Sequence, residues 1–288
     1  MEISSLYPLK MENINYIYFK GLINMSTHIR FRYLPKELVE YIRRERNVYE
    51  PLELEEKKNT VFIAHRGYSA FHRENSVASF RAAAEKSFFG IETDVHVTKD
   101  GKFIIIHDDI TGRVAEKNMA VEETDFDTLR AIPLKVKNGE DTPEARTIPS
   151  LEEYINICKE YNKIAVLELK NHFEPECIKE IVEIIKKIGY LDNLIFISFD
   201  LPNLQEIKKI DENIKAQYLT TLYNNKLLDL LQENKLDLDI YYRELNKDRV
   251  AKLHELGIKV NCWTVDTLDV AQKLVDYGVD YITTNVIE

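Results

Sequence analysis

The chain has 288 residues, a formal net charge of −10 and 44% hydrophobic residues, a combination typical of one large soluble domain or a barrel with an appendage. The negative charge argues against a nucleic-acid partner and against general attraction to anionic lipid. Three scattered cysteines, no signal peptide and no apolar run near the ~20 residues of a membrane helix predict a cytoplasmic protein without an integral membrane segment.

The first segment, residues 1–57, differs in composition from the rest and is predicted to be an N-terminal extension. Its first 46 residues carry eight basic against five acidic side chains. An amphipathic helix is predicted over residues 35–46, because Leu38, Val39 and Ile42 share one face. The extension is expected to pack on the following domain or to lie at an interface, either between copies in a homo-oligomer or on a membrane surface.

From Thr60 onward, short β-branched and apolar runs alternate with longer helical patterns. Repeated strand–helix alternation predicts a parallel sheet closed as a (β/α)8 TIM barrel, which we assign to residues 58–288. The predicted helices include residues 76–87, 176–189 and 246–256. The predicted strands occupy residues 61–64, 91–95, 164–170, 194–199, 215–219, 238–242, 259–265 and 280–284.

A ninth apolar run, residues 103–107, follows the second strand too closely for a crossover helix. Asp100-Gly101 is typical of a two-residue hairpin turn, so this run is predicted to return antiparallel beside the second strand. With those two residues at the tip, Asp94 is expected to lie directly opposite His107. Residues 108–150 are polar and irregular, and we expect them to cross the barrel mouth, the end at which the parallel strands terminate.

Titratable side chains collect at the predicted carboxyl ends of the strands, where active sites of such barrels form. Glu92, Asp94 and Glu168 come from neighbouring strands and predict a hard-oxygen site for one divalent cation, Mg²⁺ or Ca²⁺. His65 and His107 are suited to acid–base catalysis near neutral pH. Which histidine is the acid and which the base is left open by their positions.

Two fixed cations, Arg66 and Lys170, stand at the same end of the predicted barrel and are the expected donors to an oxyanion. Together with a metal ion they would offset the charge that develops during cleavage of a phosphodiester. The combination of two histidines, a hard cation and two basic side chains therefore predicts phosphodiester hydrolysis.

The ordered set of motifs around these residues resembles the glycerophosphodiester phosphodiesterase family, from about Thr60 to Asn285. The motifs are His-Arg-Gly (65–67), Glu-Asn-Ser (74–76), Glu-Thr-Asp-Val (92–95), Thr-Lys-Asp-Gly (98–101), His-Asp (107–108), Leu-Glu-Leu-Lys (167–170) and Trp-Thr-Val (263–265). The resemblance implies hydrolysis of small glycerophosphodiesters, such as glycerophosphocholine or glycerophosphoethanolamine, to glycerol 3-phosphate and an alcohol. It further implies attack by the neighbouring hydroxyl of the substrate, so a diester without that hydroxyl should react poorly.

The same resemblance implies a role for each candidate residue. His65 and His107 would be the general acid and base, and Trp263 would line the substrate pocket. Glu74 would support or join the metal site. The implied metal ligands are Glu92, Asp94 and Glu168, and the implied phosphate contacts are Arg66 and Lys170.

Two departures from the family pattern and two structural alternatives accompany this interpretation. Arg73 stands where the family has proline and could reach the site, and Asn285 stands in place of the aspartate of the closing motif, so the last strand could be anchored differently. Glu74 could instead cap the following helix, and Trp263 could belong to the core.

Two other functions compete with the main hypothesis. A lysophospholipase D or sphingomyelinase-like phosphodiesterase would act on lipid substrates and would need an apolar groove at the mouth. A non-enzymatic binding module would need a missing catalytic group, and the sequence lacks none of them.

Overall fold

Runs of β-branched and apolar residues form the strands, because such side chains pack well on both faces of a buried parallel sheet. The computed structural model describes residues 51–224 and 226–288. Within these residues the strands are β1 (Val61–Ala64), β2 (Gly90–Val97), β3 (Phe103–Ile105), β4 (Ile164–Leu169), β5 (Leu194–Ser198), β6 (Lys215–Thr220), β7 (Asp237–Tyr241), β8 (Val260–Trp263) and β9 (Tyr281–Thr284).

Eight of these strands close into a parallel barrel. The strand order runs β1-β9-β8-β7-β6-β5-β4-β2, and β1 also pairs with β2, which closes the ring. β3 pairs antiparallel with the far end of β2 and stands outside the ring. The predicted TIM barrel with a hairpin after its second strand is therefore confirmed.

Helices connect the strands and cover the outside of the barrel. They are α1 (Val77–Ala84), α2 (Phe126–Arg130), α3 (Pro143–Arg146), α4 (Leu151–Glu160), α5 (Pro175–Ile188), α6 (Leu201–Ile210), α7 (Leu227–Glu233), α8 (Lys247–Glu255) and α9 (Leu268–Tyr277). The predicted helices correspond to α1, α5 and α8 within a few residues at each end. Between residues 51 and 288, position 225 aside, no helix combines the length and apolar character that a membrane span requires.

Buried apolar side chains form separate layers inside and outside the barrel. The interior contains Ile63, Val166, Ile197 and Tyr281, among others. A larger core lies between the outer face of the strands and the helices. The inward-facing positions also hold buried polar side chains, such as Asp239 and Asn261. The charged residues at the strand ends therefore lie above a filled barrel interior.

The hairpin register differs by one residue from the prediction. Val95 pairs with Ile105, and the backbone N–H of Thr98 donates to the carbonyl of Lys102, so the loop contains three residues rather than two. Gly101, with φ of 75°, takes the left-handed position that such loops need. The predicted pairing of Asp94 with His107 is therefore wrong.

His107 nonetheless reaches the mouth, because β3 ends at Ile105 and the chain then leaves the ladder. The residue opposite Asp94 is Ile106, whose N–H donates to the Asp94 carbonyl.

Residues 108–150 form a compact excursion with its own small core, rather than an irregular loop. This core contains Val114, Val121, Leu129 and Leu134, which pack against Ile104 of β3. The helices α2 and α3 belong to it. The excursion therefore has a fixed structure from which it can present side chains to the site.

The end of the predicted N-terminal extension pairs with the end of the chain. Leu52 N–H donates to the carbonyl of Val286, Glu288 N–H donates to the carbonyl of Leu52, and Leu54 is buried. The helix predicted over residues 35–46 lies outside the described residues, as does most of the extension, so its helical structure and its role at an interface stay predictions.

Candidate active site

Three buried carboxylates lie together at the mouth ends of β2 and β4. These strands pair in parallel with Asp94 beside Glu168, and Glu92 precedes Asp94 by two residues on the same face. One oxygen from each residue lies within 4.8 Å of the other two. Among residues 51–224 and 226–288, this acidic trio (Glu92, Asp94 and Glu168) is the one cluster of at least three His, Cys, Asp or Glu side chains with ligand spacing.

Three full charges on the acidic trio would be costly without a cation, and burial and mutual repulsion shift the pKa values of its members. Burial and the charge of Asp94 raise the pKa of Glu92 well above its usual value. Burial and Asp94 also raise the pKa of Glu168 to about 7. For Asp94, burial opposes ionisation, but Arg66 and Lys170 hold its pKa below the usual range. The apo site therefore retains protons that a cation would displace.

The donor set fits a hard divalent cation. All three ligands are carboxylate oxygens, which Mg²⁺ and Ca²⁺ prefer. Oδ1 of Asp94 is fully buried and accepts no hydrogen bond from any residue that the structure describes. Its nearest basic group, Nζ of Lys170, lies 3.5 Å away. An oriented, unsatisfied carboxylate oxygen between two other acids is what a cation site needs.

The two predicted phosphate-binding cations flank the acidic trio. Arg66 follows β1, donates from Nη1 to Glu74 at 2.8 Å, and places Nε 3.4 Å from Asp94 Oδ2. Lys170 follows β4 and donates to Glu168 at 2.8 Å. Both side chains are less than one-fifth exposed. Both side chains are positively charged and lie beside the acidic trio, where they can bind an anionic ligand.

The backbone at Arg66 is in the left-handed region, with φ of 55°, and the following Gly67 has φ of 77°. A Cβ at Gly67 would lie 2.7 Å from the Ser79 carbonyl of α1, so only glycine fits against that helix. The turn also lets the Arg66 N–H donate to Glu92 Oε2 at 2.8 Å. The hydrogen bond made by this turn thus holds Glu92, one member of the acidic trio, in position.

His65 is half-buried near the acidic trio and is paired with an amide. Its Nδ1 lies 2.8 Å from Oδ1 of Asn285, which follows β9. Burial and the neighbouring Arg66 lower the pKa of His65 to about 4, and the hydrogen bond to Asn285 opposes that shift. His65 is therefore neutral at neutral pH, and its Nε2 has no hydrogen-bond partner among residues 51–224 and 226–288.

His107 has a different partner, the carboxylate of Asp108. Its Nδ1 lies 2.6 Å from Asp108 Oδ1, and the side chain is about one-third exposed. Burial lowers the pKa of His107 below its usual value, whereas Asp94 and the hydrogen bond to Asp108 oppose that shift. The two histidines thus differ in the charge of the group that is hydrogen-bonded to Nδ1: a neutral amide for His65 and a carboxylate for His107.

Arg113 from the excursion joins Asp108 to Glu74. Its guanidinium donates to Glu74 at 2.7 Å and to Asp108 at 2.6 Å. Glu74 therefore lies between Arg66 and Arg113 rather than at a helix start, since the N-cap of α1 is Ser76, which forms a capping box with Ser79. Glu74 is also not a member of the acidic trio. Its observed contacts are those of a residue that holds Arg66 in place.

The other two residues singled out from the sequence have clear positions. Arg73 does not point at the acidic trio, because its Nε donates to the carbonyl of Lys135 in the excursion. Trp263 is the last residue of β8, with its ring 5.8 Å from Phe199 and 5.9 Å from Tyr241. Trp263 is half-buried and packs on the apolar cluster inside the barrel, and its partner Phe199 is exposed in the cleft.

A cleft of about 800 Å³ opens beside these groups, a size that accommodates a small organic ligand. The excursion forms one wall, and the loops after β4 and β5 form the other. His107, Glu168 and Lys170 lie in its lining, together with the exposed apolar side chains of Ile110 and Phe199. The cleft therefore gives direct access to three of the predicted site residues, His107, Glu168 and Lys170.

Comparison with known proteins identifies the family. Residues 65–288 match the glycerophosphoryl diester phosphodiesterase family. The chain belongs to this family. The match includes every residue of the site described above, and it makes the chain a phosphoric diester hydrolase.

Relatives and solved structures from the same family agree with this assignment. A glycerophosphodiester phosphodiesterase of Caldanaerobacter subterraneus subsp. tengcongensis is 28% identical over 232 residues, 78% of this chain and 94% of that protein. A phosphodiesterase of Oleispira antarctica, solved in complex with the product sn-glycerol-3-phosphate, is 27% identical with a TM-score of 0.74 over 78% of this chain and 93% of that chain. A glycerophosphodiester phosphodiesterase of Parabacteroides distasonis is 28% identical, with a TM-score of 0.68, over 80% of this chain and 94% of that chain.

The structure adds three residues that the sequence analysis did not assign to the site of this family member. Asp108 directly follows His107 in the His-Asp motif, but the motif does not indicate that its carboxylate pairs with the histidine ring. Asn285 stands in place of the aspartate of the family's closing motif, and nothing in the sequence indicates that it pairs with His65. Arg113 lies in the excursion, where no local pattern marks it.

Proposed function

We propose that the protein hydrolyses small glycerophosphodiesters, such as glycerophosphocholine or glycerophosphoethanolamine, to glycerol 3-phosphate and an alcohol, with one divalent cation, Mg²⁺ or Ca²⁺. The observation that carries the proposal is the buried acidic trio flanked by two basic side chains and by two histidines with unlike partners. The product found in the related Oleispira antarctica structure supports the choice of substrate.

The acidic trio Glu92, Asp94 and Glu168 would hold the cation. When bound, it would offset the negative charge that develops on the phosphoryl oxygens. Arg66 and Lys170 bind the remaining phosphate oxygens, and Glu74 keeps Arg66 in position by their 2.8 Å hydrogen bond. Trp263, beside Phe199, forms an aromatic wall of the substrate pocket.

The two histidines divide acid and base chemistry according to their partners. His65 is neutral, because burial lowers its pKa to about 4, and so it accepts a proton at Nε2. Burial lowers the pKa of His107, but the hydrogen-bonded Asp108 carboxylate opposes that shift and favours the imidazolium form. His65 is therefore the general base and His107 the general acid of the first step.

In the first step, His65 removes the proton of the glycerol 2-hydroxyl, and that oxygen attacks phosphorus. The bond from phosphorus to the alcohol breaks, and His107 donates its proton to the leaving oxygen. A cyclic phosphate and the free alcohol result. In the second step the roles reverse: His107 takes a proton from water, which opens the ring, and His65 returns its proton to the 2-oxygen, yielding glycerol 3-phosphate.

A second candidate activity, lysophospholipase D cleavage, is favoured by one feature of the cleft. Ile110 and Phe199 are 50% and 43% exposed and line the cleft near His107. Exposed apolar side chains of that size in a catalytic cleft favour an acyl or alkyl substituent.

The direct test measures release of glycerol 3-phosphate from glycerophosphocholine by the full chain, with Mg²⁺, with Ca²⁺ and with EDTA. Metal-dependent release is expected, and a diester that lacks the 2-hydroxyl should react poorly because no internal nucleophile remains. Lysophosphatidylcholine in a parallel reaction separates the second candidate. If a folded, metal-loaded protein releases no alcohol from any of these diesters, the proposed function is wrong.

Asp108→Asn is expected to move the basic limb of the kcat/KM pH profile to lower pH. The hydrogen bond to Asp108 raises the pKa of His107, so its loss lowers that pKa. Since a general acid must be protonated, activity should then decline at a lower pH than in the wild type. The profile is measured at saturating metal, with the exposed Asp141→Asn as control. An unmoved limb, or a shift to higher pH, contradicts the acid role of His107.

A further inference from the structure

The group behind His65 is part of a hydrogen-bonded chain that ends on a carboxylate. Oδ1 of Asn285 lies 2.8 Å from His65 Nδ1 and also accepts from the Ser69 hydroxyl at 2.7 Å. On its other side, Nδ2 of Asn285 donates to Asp266 Oδ2 at 2.6 Å. The chain therefore runs from His65 through Asn285 to Asp266, in the loop after β8.

Asp266 fixes which way the Asn285 amide points. A carboxylate only accepts hydrogen bonds, so the NH₂ group of Asn285 must face it and the amide oxygen must face His65. Asp266 is itself held, because its Oδ1 accepts from the Asn285 backbone N–H at 2.8 Å and from the Thr284 hydroxyl at 3.1 Å. The amide has no equivalent alternative orientation.

The orientation of the amide in turn fixes the tautomer of His65. An amide oxygen cannot donate, so Nδ1 of the neutral ring must carry the proton. The lone pair of the ring is then on Nε2. This is the tautomer that a general base needs, and it is selected before any substrate binds.

We propose that Asn285 and Asp266 are positioning residues that hold His65 in the Nδ1–H tautomer, with Asp266 acting through the Asn285 amide. The inference rests on the proposed function only for its kinetic consequence. The charged groups that act on His65 are Arg66, Asp94 and Glu74, whereas its Nδ1 is hydrogen-bonded to Asn285, so the choice of tautomer falls to Asn285.

Asp266→Asn tests the chain because it is expected to reverse the amide. In this variant, Oδ1 at position 266 can still accept the hydrogen bonds from the Asn285 backbone N–H and from the Thr284 hydroxyl. The NH₂ group at position 266 then faces the side-chain amide of Asn285. Two NH₂ groups cannot pair, so the Asn285 amide rotates and presents Nδ2 to His65. Nδ1 then becomes an acceptor, and the proton moves to Nε2.

The primary readout is the ¹⁵N NMR spectrum of the His65 ring in the full chain, assigned with His65→Gln. The wild type should show a protonated Nδ1, and Asp266→Asn a protonated Nε2. With metal and glycerophosphocholine, kcat should fall roughly 10²-fold while KM changes little, because the base has the wrong tautomer. The exposed Asp276→Asn, whose carboxylate pairs with Lys58 on the surface, is the matched control.

Exchanging the two residues provides a rescue. In Asp266→Asn combined with Asn285→Asp, the new carboxylate at 285 accepts from both His65 Nδ1–H and the new amide at 266. The Nδ1–H tautomer and most of kcat should return. The single variant Asn285→Asp should also keep Nδ1–H, which gives a second measurement if Asp266→Asn does not fold.

Three results would overturn the proposal: an unchanged Nδ1–H tautomer in folded Asp266→Asn, an Nε2–H tautomer in Asn285→Asp, or a folded exchange variant that regains neither tautomer nor kcat. Because the NMR measurement needs no turnover, it separates this proposal from the proposed function. If the wild type cleaves no diester but the tautomer responds as described, the hydrogen-bonded chain stands and the activity assignment falls.

Discussion

Replacing His107 by glutamine is expected to lower kcat for glycerophosphocholine by about 10²–10⁴-fold, the usual loss when a general acid is removed. The loss should be much smaller for a glycerol phosphodiester whose leaving group is 4-nitrophenol. A phenolate of low basicity departs without being protonated, whereas the alkoxide of choline does not. The comparison of the two substrates therefore reports on proton donation to the leaving oxygen.

His65→Gln provides the opposite pattern. A base that activates the attacking hydroxyl is needed whatever the leaving group, so both substrates should lose activity to a similar extent. His254→Gln is the matched control, because His254 lies on α8 and pairs with Asp280 at the amino end of β9, away from the mouth. The opposite result would reverse the acid and base assignments. In that case His107→Gln loses equal activity on both substrates, and His65→Gln loses much less on the substrate with the 4-nitrophenol leaving group.

The assignment depends on partners that sequence spacing does not provide. Both histidines follow strands at the mouth, and their ordinary pKa values are the same. The structure distinguishes them because an amide stands behind His65 and a carboxylate behind His107. Asn285 is 220 residues from His65 along the chain, so only the closure of β9 against β1 brings them together.

The barrel and the members of the acidic trio were predictable for a physical reason. Strands that are buried on both faces contain few charged residues, so a carboxylate or a cation at a strand end needs a partner or a metal ion. Glu92, Asp94 and Glu168 stand out from their strands on that ground alone. Their convergence then follows from the rule that parallel strands place their carboxyl ends together.

The hairpin shows where such prediction fails. Asp100-Gly101 signals a turn, but the same pair fits a two-residue loop and the last two positions of a three-residue loop. The choice moves the register by one residue, and no pattern in the short β3 strand opposes either register. The role of Arg113 could not be predicted from the sequence for a related reason. Its position depends on how the excursion packs on its own small core.

The acidic trio is a site where function opposes stability. The pKa of Glu168 is raised to about 7 by burial and by Asp94, whereas its ordinary value is 4.5. A carboxyl whose pKa is higher in the folded state stabilises the fold below the ordinary value, and this stabilisation is lost as the pH rises through 7. Without metal at pH 8, the ionised Glu168 therefore costs about 3 kcal/mol of folding free energy, by the usual conversion of pKa shifts.

Glu168→Gln is consequently expected to raise the thermal unfolding midpoint of the metal-free protein at pH 8 by several degrees while abolishing metal-dependent activity. The glutamine oxygen can still accept from Lys170, but it never ionises and contributes no charge to a cation. At pH 5, where Glu168 is protonated in the wild type, the two proteins should unfold at nearly the same temperature. Midpoints are measured in EDTA at both pH values, with the exposed Glu180→Gln on α5 as control. Adding Mg²⁺ at pH 8 should stabilise the wild type and not the variant. If the variant is less stable than the wild type in EDTA at pH 8, Glu168 serves the fold rather than a cation.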